Sequence, residues 1–237
     1  MSTFVLVHGA WHGAWCWQKL TPLLEAKGHR VVAPDLLGLG DDRTPLGQVT
    51  LAAWTDQICR VLDAQAAPVI LVGHSRGGLV ISQVAERRPD KIGRLVYLTA
   101  MMIENGESGL GTFGKIGPSP LQDYLVVAPD GVSMTVKEEG YKPSFYGMCS
   151  DADVALAKRL CRPEPLEPSN APLALSAKNY GRVPRVYIQC LRDGAITPAM
   201  QKAMCTALPC ERVITMDTDH SPFFSAPAEL ARHLGAL

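Results

Sequence analysis

Short apolar runs alternate with longer segments of helical spacing along most of the chain. The runs are rich in Val, Leu and Ile, and they lie at residues 4–7, 30–33, 69–72, 94–98, 185–189 and 212–216. Uninterrupted apolar strands, without an alternating polar face, are typical of a sheet that is covered on both sides. We therefore interpret these runs as strands of a mostly parallel sheet.

Helices are predicted between these strands. Residues 51–64 show the pattern best, because their apolar side chains recur every three or four positions. The predicted helices are residues 17–27, 51–64, 79–87, 198–207 and a last one from about residue 226. This alternation predicts an α/β fold of about six mostly parallel strands with helices on both faces.

The stretch from residue 100 to residue 182 breaks this rhythm. It is rich in Gly and Pro, and its one clear helical piece is residues 151–160, with Asp151 as the expected N-cap. We expect a cap over residues 100–182, inserted after the fourth strand into a core formed by residues 1–99 and 183–237.

Composition narrows the class of protein. Apolar residues make up 47% of the chain, charged residues 19%, and the formal net charge is zero, which is ordinary for a compact globular protein. A nucleic-acid partner is not expected, because there is no basic excess or stripe. The apolar runs are too short to span a bilayer, so no membrane association is expected.

The N-terminus and the cysteines indicate a compartment. The chain enters its first strand directly, without the charged and apolar regions of a signal peptide. Its seven cysteines are irregularly spaced, with no metal-binding pattern, so we expect reduced thiols, no metal and a cytoplasmic location. A bridge between Cys205 and Cys210 has no support in the pattern.

One motif carries candidate chemistry. The sequence Gly73-His74-Ser75-Arg76-Gly77 follows a predicted strand and precedes a helix, the context that a G-x-S-x-G nucleophile requires. Small residues let strand and helix approach, and the tight turn exposes the hydroxyl. Ser75 is therefore predicted to be the nucleophile of a serine hydrolase.

A serine nucleophile needs a base and an orienting acid. His220 follows the last predicted strand, and Asp193 follows the strand before it, which gives the chain order Ser, Asp, His of α/β-hydrolases. Asp217 and Asp219 are rivals for the acid, but they lie too near His220 in sequence to face its far ring nitrogen easily. We expect them to cap the loop.

The oxyanion of an acyl-transfer intermediate needs two donors. One is expected to be the backbone N–H of Arg76, directly after the nucleophile. The other is expected to be the N–H of Ala10, in the loop after the first strand. His8 is expected to brace this loop, and the Arg76 side chain is expected at the solvated surface, with a substrate carboxylate as its alternative partner.

The segment at residues 7–15, V-H-G-A-W-H-G-A-W, carries a resemblance to a known family. Together with Ser75, Asp193 and His220, it resembles the small α/β-hydrolases that include plant methylesterases, hydroxynitrile lyases and bacterial pyrethroid hydrolases. The resemblance covers nearly the whole chain and is weakest in the cap. It implies an enzyme without a cofactor that acts on a small-molecule ester.

Two positions separate the esterases from the lyases in this resemblance. The lyases carry Thr where this chain has Gly9, and Lys after the histidine, where this chain has Ser221. Leaving cyanide is an anion and needs a nearby cation, which Ser221 does not supply. A carboxylesterase is therefore favoured, with a hydroxynitrile lyase-like enzyme and a non-catalytic ligand-binding homologue as alternatives.

The resemblance also implies lipophilic esters, pyrethroid-type or aryl and alkyl, cleaved through an acyl-enzyme. The substrate-binding residues expected on this basis are Gly9, Trp11, Met101, Met102, Phe145 and Phe223. Whether the chain forms a homodimer, and which ester is natural, are left open by the sequence.

Overall fold

The computed structural model describes residues 1–237 and has a six-stranded sheet at its centre. Its strands are β1 (Thr3–Val7), β2 (Arg30–Val32), β3 (Val69–His74), β4 (Ile92–Leu98), β8 (Arg185–Cys190) and β9 (Arg212–Met216). They are all parallel, in the spatial order β2-β1-β3-β4-β8-β9. The predicted α/β fold is confirmed.

Helices cover both faces of this sheet. The core helices are α1 (Thr21–Glu25), α2 (Leu51–Asp63), α3 (Gly77–Arg87), α8 (Pro198–Ala207), α9 (Pro222–Ser225) and α10 (Pro227–Gly235). Successive strand residues feed two separate apolar cores, with Val5 and Leu71 in one and Phe4 and Val72 in the other. Burial on both faces explains the uninterrupted apolar runs.

The helix expected over residues 17–27 is shorter in the structure, where only Thr21–Glu25 is α-helical. A 3₁₀ turn, Ala14–Trp17, precedes the short α1. Pro22 lacks the N–H that a continuing helix needs and is tolerated only in a first turn, so α1 begins next to it.

The segment between β4 and β8 carries a second, antiparallel sheet. Its strands β5 (Leu125–Val127), β6 (Ser133–Val136) and β7 (Glu164–Pro165) accompany the helices α4 (Gly109–Phe113), α5 (Tyr141–Phe145), α6 (Asp151–Leu160) and α7 (Glu167–Asn170). A cap after the fourth strand agrees with the expected fold, and its boundaries at residues 100 and 182 stay a prediction. We refer to this segment as the cap.

The N-cap of α6 is Ser150, so the expectation of Asp151 is wrong. Ser150 Oγ accepts the Asp153 N–H at 3.2 Å and donates to the Asp153 carboxylate at 2.7 Å. Asp151 is the first helical residue and pairs with Lys142.

Two further findings concern the whole chain. None of its helices has the length and apolar character needed to cross a membrane. All seven cysteines are free.

Candidate active site

Ser75 lies in a strained turn between β3 and α3. Its φ is 54°, a left-handed value that non-glycine residues rarely adopt. A Cβ at Gly73 would lie 2.8 Å from the Gly77 carbonyl oxygen, and one at Gly77 would lie 2.8 Å from that of Val7. The two glycines therefore allow the close approach of strand and helix that presents the Ser75 side chain.

His220 and Asp193 form a buried hydrogen-bonded pair. His220 Nδ1 lies 2.6 Å from Asp193 Oδ2, and both side chains are almost fully buried. A carboxylate only accepts, so Nδ1 carries the proton and Nε2 is left with a lone pair that can act as a base. The same Asp193 oxygen accepts a hydrogen bond from the Thr99 hydroxyl.

The other carboxylate oxygen of Asp193 is also satisfied. It accepts the backbone N–H groups of Ala195 at 2.7 Å and Ile196 at 2.8 Å. Four donors therefore fix this carboxylate in one orientation. The rivals lie elsewhere: Asp217 pairs with Arg192, and Asp219 accepts the Met148 N–H at 2.8 Å.

His74, the chain neighbour of Ser75, contacts His220. His74 Nε2 lies 2.8 Å from the His220 carbonyl oxygen, and the two imidazole centroids are 4.6 Å apart. Ser75 Oγ forms no hydrogen bond to His220 Nε2 in this structure. Such bonds are often long in free enzymes and tighten around bound substrate.

Two backbone N–H groups near Ser75 have no acceptor within the protein. They belong to Ala10 and Arg76, the two residues expected to form an oxyanion hole. Gly9 is packed against Ser75, because a Cβ there would lie 2.8 Å from Ser75 Cβ and 2.8 Å from His74 Nδ1. Close packing is thus the structural role of this glycine.

Two buried histidines brace the loop that carries Ala10. His8 Nε2 accepts the Leu36 N–H at 3.0 Å, and its Nδ1 lies 2.9 Å from the Gly9 carbonyl oxygen. His12 Nδ1 lies 2.6 Å from the Ala10 carbonyl oxygen. Burial lowers the pKa of His8 to about 3 and that of His12 to about 4, so both rings are neutral near pH 7.

The Arg76 side chain is buried, so the expectation of surface solvation is wrong. It is 5% exposed, its Nε donates to Glu164 Oε1 at 2.7 Å, and its guanidinium carbon lies 4.0 Å from the Trp54 ring centroid. Desolvation lowers the pKa of Arg76, and the adjacent Glu164 carboxylate opposes that effect. Such burial requires a partner charge, which the cap supplies.

An apolar cavity opens beside Ser75. Eleven of its fifteen lining residues are hydrophobic. Core and cap both contribute to the apolar wall, which includes Trp11, Leu79, Met101, Leu110, Phe113, Leu121, Leu125, Met134 and Ile196. A concave, mostly apolar wall with a few polar groups is typical of small-molecule sites.

Among the six residues expected to bind substrate, Trp11 and Met101 line this cavity. Gly9 and Met102 do not. Gly9 is covered by Ser75 and His74, and the Met102 sulfur lies 3.6 Å from Cys210 Sγ, inside the apolar core that also contains Val5 and Leu71.

Phe145 and Phe223 also lie outside the cavity wall. The Phe145 ring packs between Trp11 and His220, at centroid distances of 5.5 and 5.6 Å. The Phe223 ring packs on His74 at 4.9 Å. Phe145 therefore packs against His220, and Phe223 packs against the neighbour of Ser75, and neither ring lines the cavity.

Sequence reasoning missed two residues of this site. Thr99 directly follows β4, and a polar residue at the carboxyl end of a parallel strand is a signal that marks such sites. Glu164 gave no signal, because it lies in the irregular cap and reaches Arg76 only through the tertiary fold.

Comparisons with known proteins agree with this geometry. A model of the alpha/beta hydrolase family matches residues 4–233, and the chain belongs to that family. Methylesterase 1 of Arabidopsis thaliana is 36% identical over 243 residues, which cover 96% of this chain and 92% of the relative. The chain spans only 62% of the length of a chloroplastic methylesterase relative that is 37% identical.

Two solved structures share the whole fold. Polyneuridine aldehyde esterase has a TM-score of 0.90 at 30% identity, covering 100% of this chain and 98% of that one. A pyrethroid hydrolase from Sphingobium faniae JZ-2 has a TM-score of 0.90 at 29% identity, covering 99% and 96%. The resemblance to methylesterases and pyrethroid hydrolases is confirmed, and so, at the level of the family, is the enzyme class of carboxylic ester hydrolase.

Proposed function

We propose that this chain is a serine carboxylesterase that hydrolyses lipophilic esters through an acyl-enzyme. Ser75 is the nucleophile, His220 the base and Asp193 the acid that orients it. The observation that carries the proposal is the His220–Asp193 pair: its Nδ1 proton points to the carboxylate, which leaves Nε2 free as a base. The esterase relatives support the same chemistry.

In the proposed first step, His220 Nε2 takes the Ser75 proton as Oγ attacks the ester carbonyl. The negative charge that develops on the carbonyl oxygen is stabilised by the Ala10 and Arg76 N–H groups. The protonated imidazole then gives its proton to the leaving alkoxide, and the alcohol departs. Water, activated by the same base, hydrolyses the acyl-enzyme and restores Ser75. The protein's own groups and water supply every step.

The cavity supports the choice of lipophilic esters. Its apolar wall stabilises an apolar acid or alcohol part by removing it from water. Pyrethroid-type and aryl or alkyl esters fit this description, and a panel of esters that varies each side separately identifies which part occupies the cavity.

The direct test is the substitution Ser75→Ala. We expect turnover of p-nitrophenyl esters to fall to the background rate, and labelling by a fluorophosphonate to be lost, while the circular dichroism spectrum stays unchanged. Ser82→Ala is the matched control, since Ser82 is a buried serine of α3 that bonds Tyr97. Retained hydrolysis in Ser75→Ala contradicts the proposal.

The two alternatives predict other results. A hydroxynitrile lyase-like enzyme releases cyanide from mandelonitrile, and a non-catalytic binding homologue leaves the fluorophosphonate unreacted. The residue after His220 is the uncharged, buried Ser221, which supports ester hydrolysis over cyanide release. The cytoplasmic location, the oligomeric state and the lack of a nucleic-acid partner stay predictions.

A further inference from the structure

The cap holds the residue that follows Ala10 through three hydrogen bonds. The Trp11 N–H donates to Glu164 Oε2 at 2.9 Å, and its indole N–H donates to the Met134 carbonyl at 3.0 Å. Its carbonyl oxygen accepts the Arg162 N–H at 2.9 Å. Trp11 has a φ of 62°, so these bonds hold a bulky residue in a left-handed conformation that it would not adopt freely.

The Arg76 side chain acts on the peptide unit that joins Gly9 to Ala10. Its Nη2 donates to the Gly9 carbonyl oxygen at 3.2 Å. That carbonyl and the Ala10 N–H belong to one planar peptide group, so a donor fixed on the oxygen also fixes the direction of the N–H. The Arg76 side chain thereby orients one proposed oxyanion donor, and its own backbone supplies the other.

Glu164 joins these two contacts. It is 0% exposed, and its two carboxylate oxygens are divided between them, with Oε1 on Arg76 and Oε2 on Trp11. We propose that Glu164 is a positioning residue for the oxyanion hole, which holds the Ala10 and Arg76 N–H groups in place from the cap. The inference rests on the proposed esterase function and deepens it.

The Arg76 guanidinium donates to Glu164 and Gly9 and stacks on Trp54, so its charge is already paired inside the protein. Its Nη1 is buried and has no hydrogen-bond partner. A substrate carboxylate as a further partner of Arg76 stays a prediction.

The principal test is Glu164→Leu. Displacement of the Ala10 and Arg76 N–H groups should lower kcat about 100-fold. KM should stay within about threefold, because Glu164 does not line the cavity and the Trp11 indole keeps its hydrogen bond to the Met134 carbonyl. Affinity for an alkyl trifluoromethyl ketone, whose adduct with Ser75 places an oxyanion in the hole, should fall in parallel with kcat. Inhibition by the product alcohol, which places no oxyanion there, should stay within about threefold of the parent.

Loss of one charge leaves Arg76 buried without its partner, so Glu164→Leu can lower stability as well. The double variant Arg76→Leu/Glu164→Leu removes both charges and separates the two effects. We expect its Tm to recover while kcat stays low, because the Trp11 N–H still lacks its acceptor and the Gly9 carbonyl has lost its Arg76 donor and keeps only the contact with His8 Nδ1. Recovery of both Tm and kcat overturns the inference.

Two more variants complete the set. Glu164→Gln keeps the shape of the side chain and one acceptor oxygen, so its kcat should lie between those of the parent and Glu164→Leu. Glu167→Gln is the control, since Glu167 is a nearby cap carboxylate that accepts the Leu51 N–H instead; its kcat should match the parent.

The proposed function and this inference fail in different ways. If Ser75→Ala retains hydrolysis, the serine mechanism is wrong. If Ser75→Ala is inactive but folded Glu164→Leu has the parent's kcat and trifluoromethyl ketone affinity, only the positioning role is wrong.

Discussion

Three non-glycine residues adopt left-handed backbone conformations, and all three belong to the candidate site. They are Trp11, Ser75 and Thr99, at φ values of 62°, 54° and 36°. Strain of this kind persists only where the surroundings over-determine it. Here the surroundings are the cap bonds of Trp11, the packed glycines around Ser75, and the Thr99 N–H bond to Ile188 at 2.8 Å.

The Thr99 hydroxyl offers a test of how Asp193 is held. Thr99→Val keeps the shape of the side chain and removes one charge-assisted hydrogen bond, so kcat should fall about tenfold with KM little changed. The measurement is steady-state hydrolysis of a p-nitrophenyl ester.

Thr55→Val is its matched control, because Thr55 is buried and donates within α2 to the Leu51 carbonyl. That variant should keep the parent's kcat. Equal kcat values for Thr99→Val and the parent would show that the hydroxyl does not contribute to the orientation of Asp193.

The substitution Gly9→Ala tests the packing beneath Ser75. In Gly9→Ala the new methyl group would lie 2.8 Å from Ser75 Cβ, closer than real Cβ contacts, so Ser75 or the loop must move. Because displacements near 1 Å at reacting atoms cost about 100-fold, we expect kcat/KM to fall by about that factor.

Gly47→Ala is the corresponding control, since its Cβ would meet only Val132, at 3.8 Å. A Gly9→Ala enzyme with the parent's kcat/KM would contradict the tight contact between Gly9 and Ser75.

At the scale of single elements, the identity of the N-cap of α6 can be tested, because the sequence predicts Asp151 and the structure has Ser150 at that position. Ser150→Ala removes the capping hydroxyl and should lower the free energy of unfolding by about 1 kcal/mol, measured by urea titration. Asp151→Ala should cost less, because that side chain is exposed and only pairs with Lys142. A larger loss of unfolding free energy in Asp151→Ala than in Ser150→Ala would indicate that Asp151 is the N-cap.

The core strands and most core helices could be predicted from the sequence, whereas in the cap only the helix α6 could. β3 and α3 follow from an apolar run and helical spacing around Ser75, because local pattern and burial agree there. The cap strands β5, β6 and β7 are two to four residues long and carry no such pattern. Their positions depend on contacts with the core.

The same distinction applies to the candidate site. Ser75, Asp193 and His220 were expected from motif and chain order, since strand ends of a parallel sheet converge at one edge. Met102, Phe145 and Phe223 were expected at the cavity because they are apolar and near the site in sequence. Which way a side chain points depends on backbone twist and packing, and apolar character alone does not indicate it.

At the scale of the whole molecule, buried histidines link stability to pH. His8 has a folded pKa of about 3 against an ordinary value of 6.5, so the unfolded chain binds a proton more readily than the folded one. Its contribution is complete above pH 6.5 and is lost as the pH falls toward 3. Between pH 7 and pH 4 this loss is about 3 kcal/mol.

The variant His8→Gln tests this linkage. Its amide can still accept the Leu36 N–H, but it does not titrate. Unfolding free energies measured in urea at pH 7 and pH 4 should differ by about 3 kcal/mol less than in the parent. An unchanged difference would mean that His8 binds its proton equally in the folded and unfolded chains, so that burial does not lower its pKa.

The bond between Glu164 and Arg76 also sets a rule for recombination. A chimera that keeps this core and receives residues 100–182 from a relative acquires a new cap wall of the cavity but retains Arg76 next to Ser75. Unless the donor supplies an acidic residue in the place of Glu164, the transplant leaves a buried cation without its counter-ion. An exchange of the cap that is meant to change the substrate range therefore has to keep residues 76 and 164 as a compatible pair of charges.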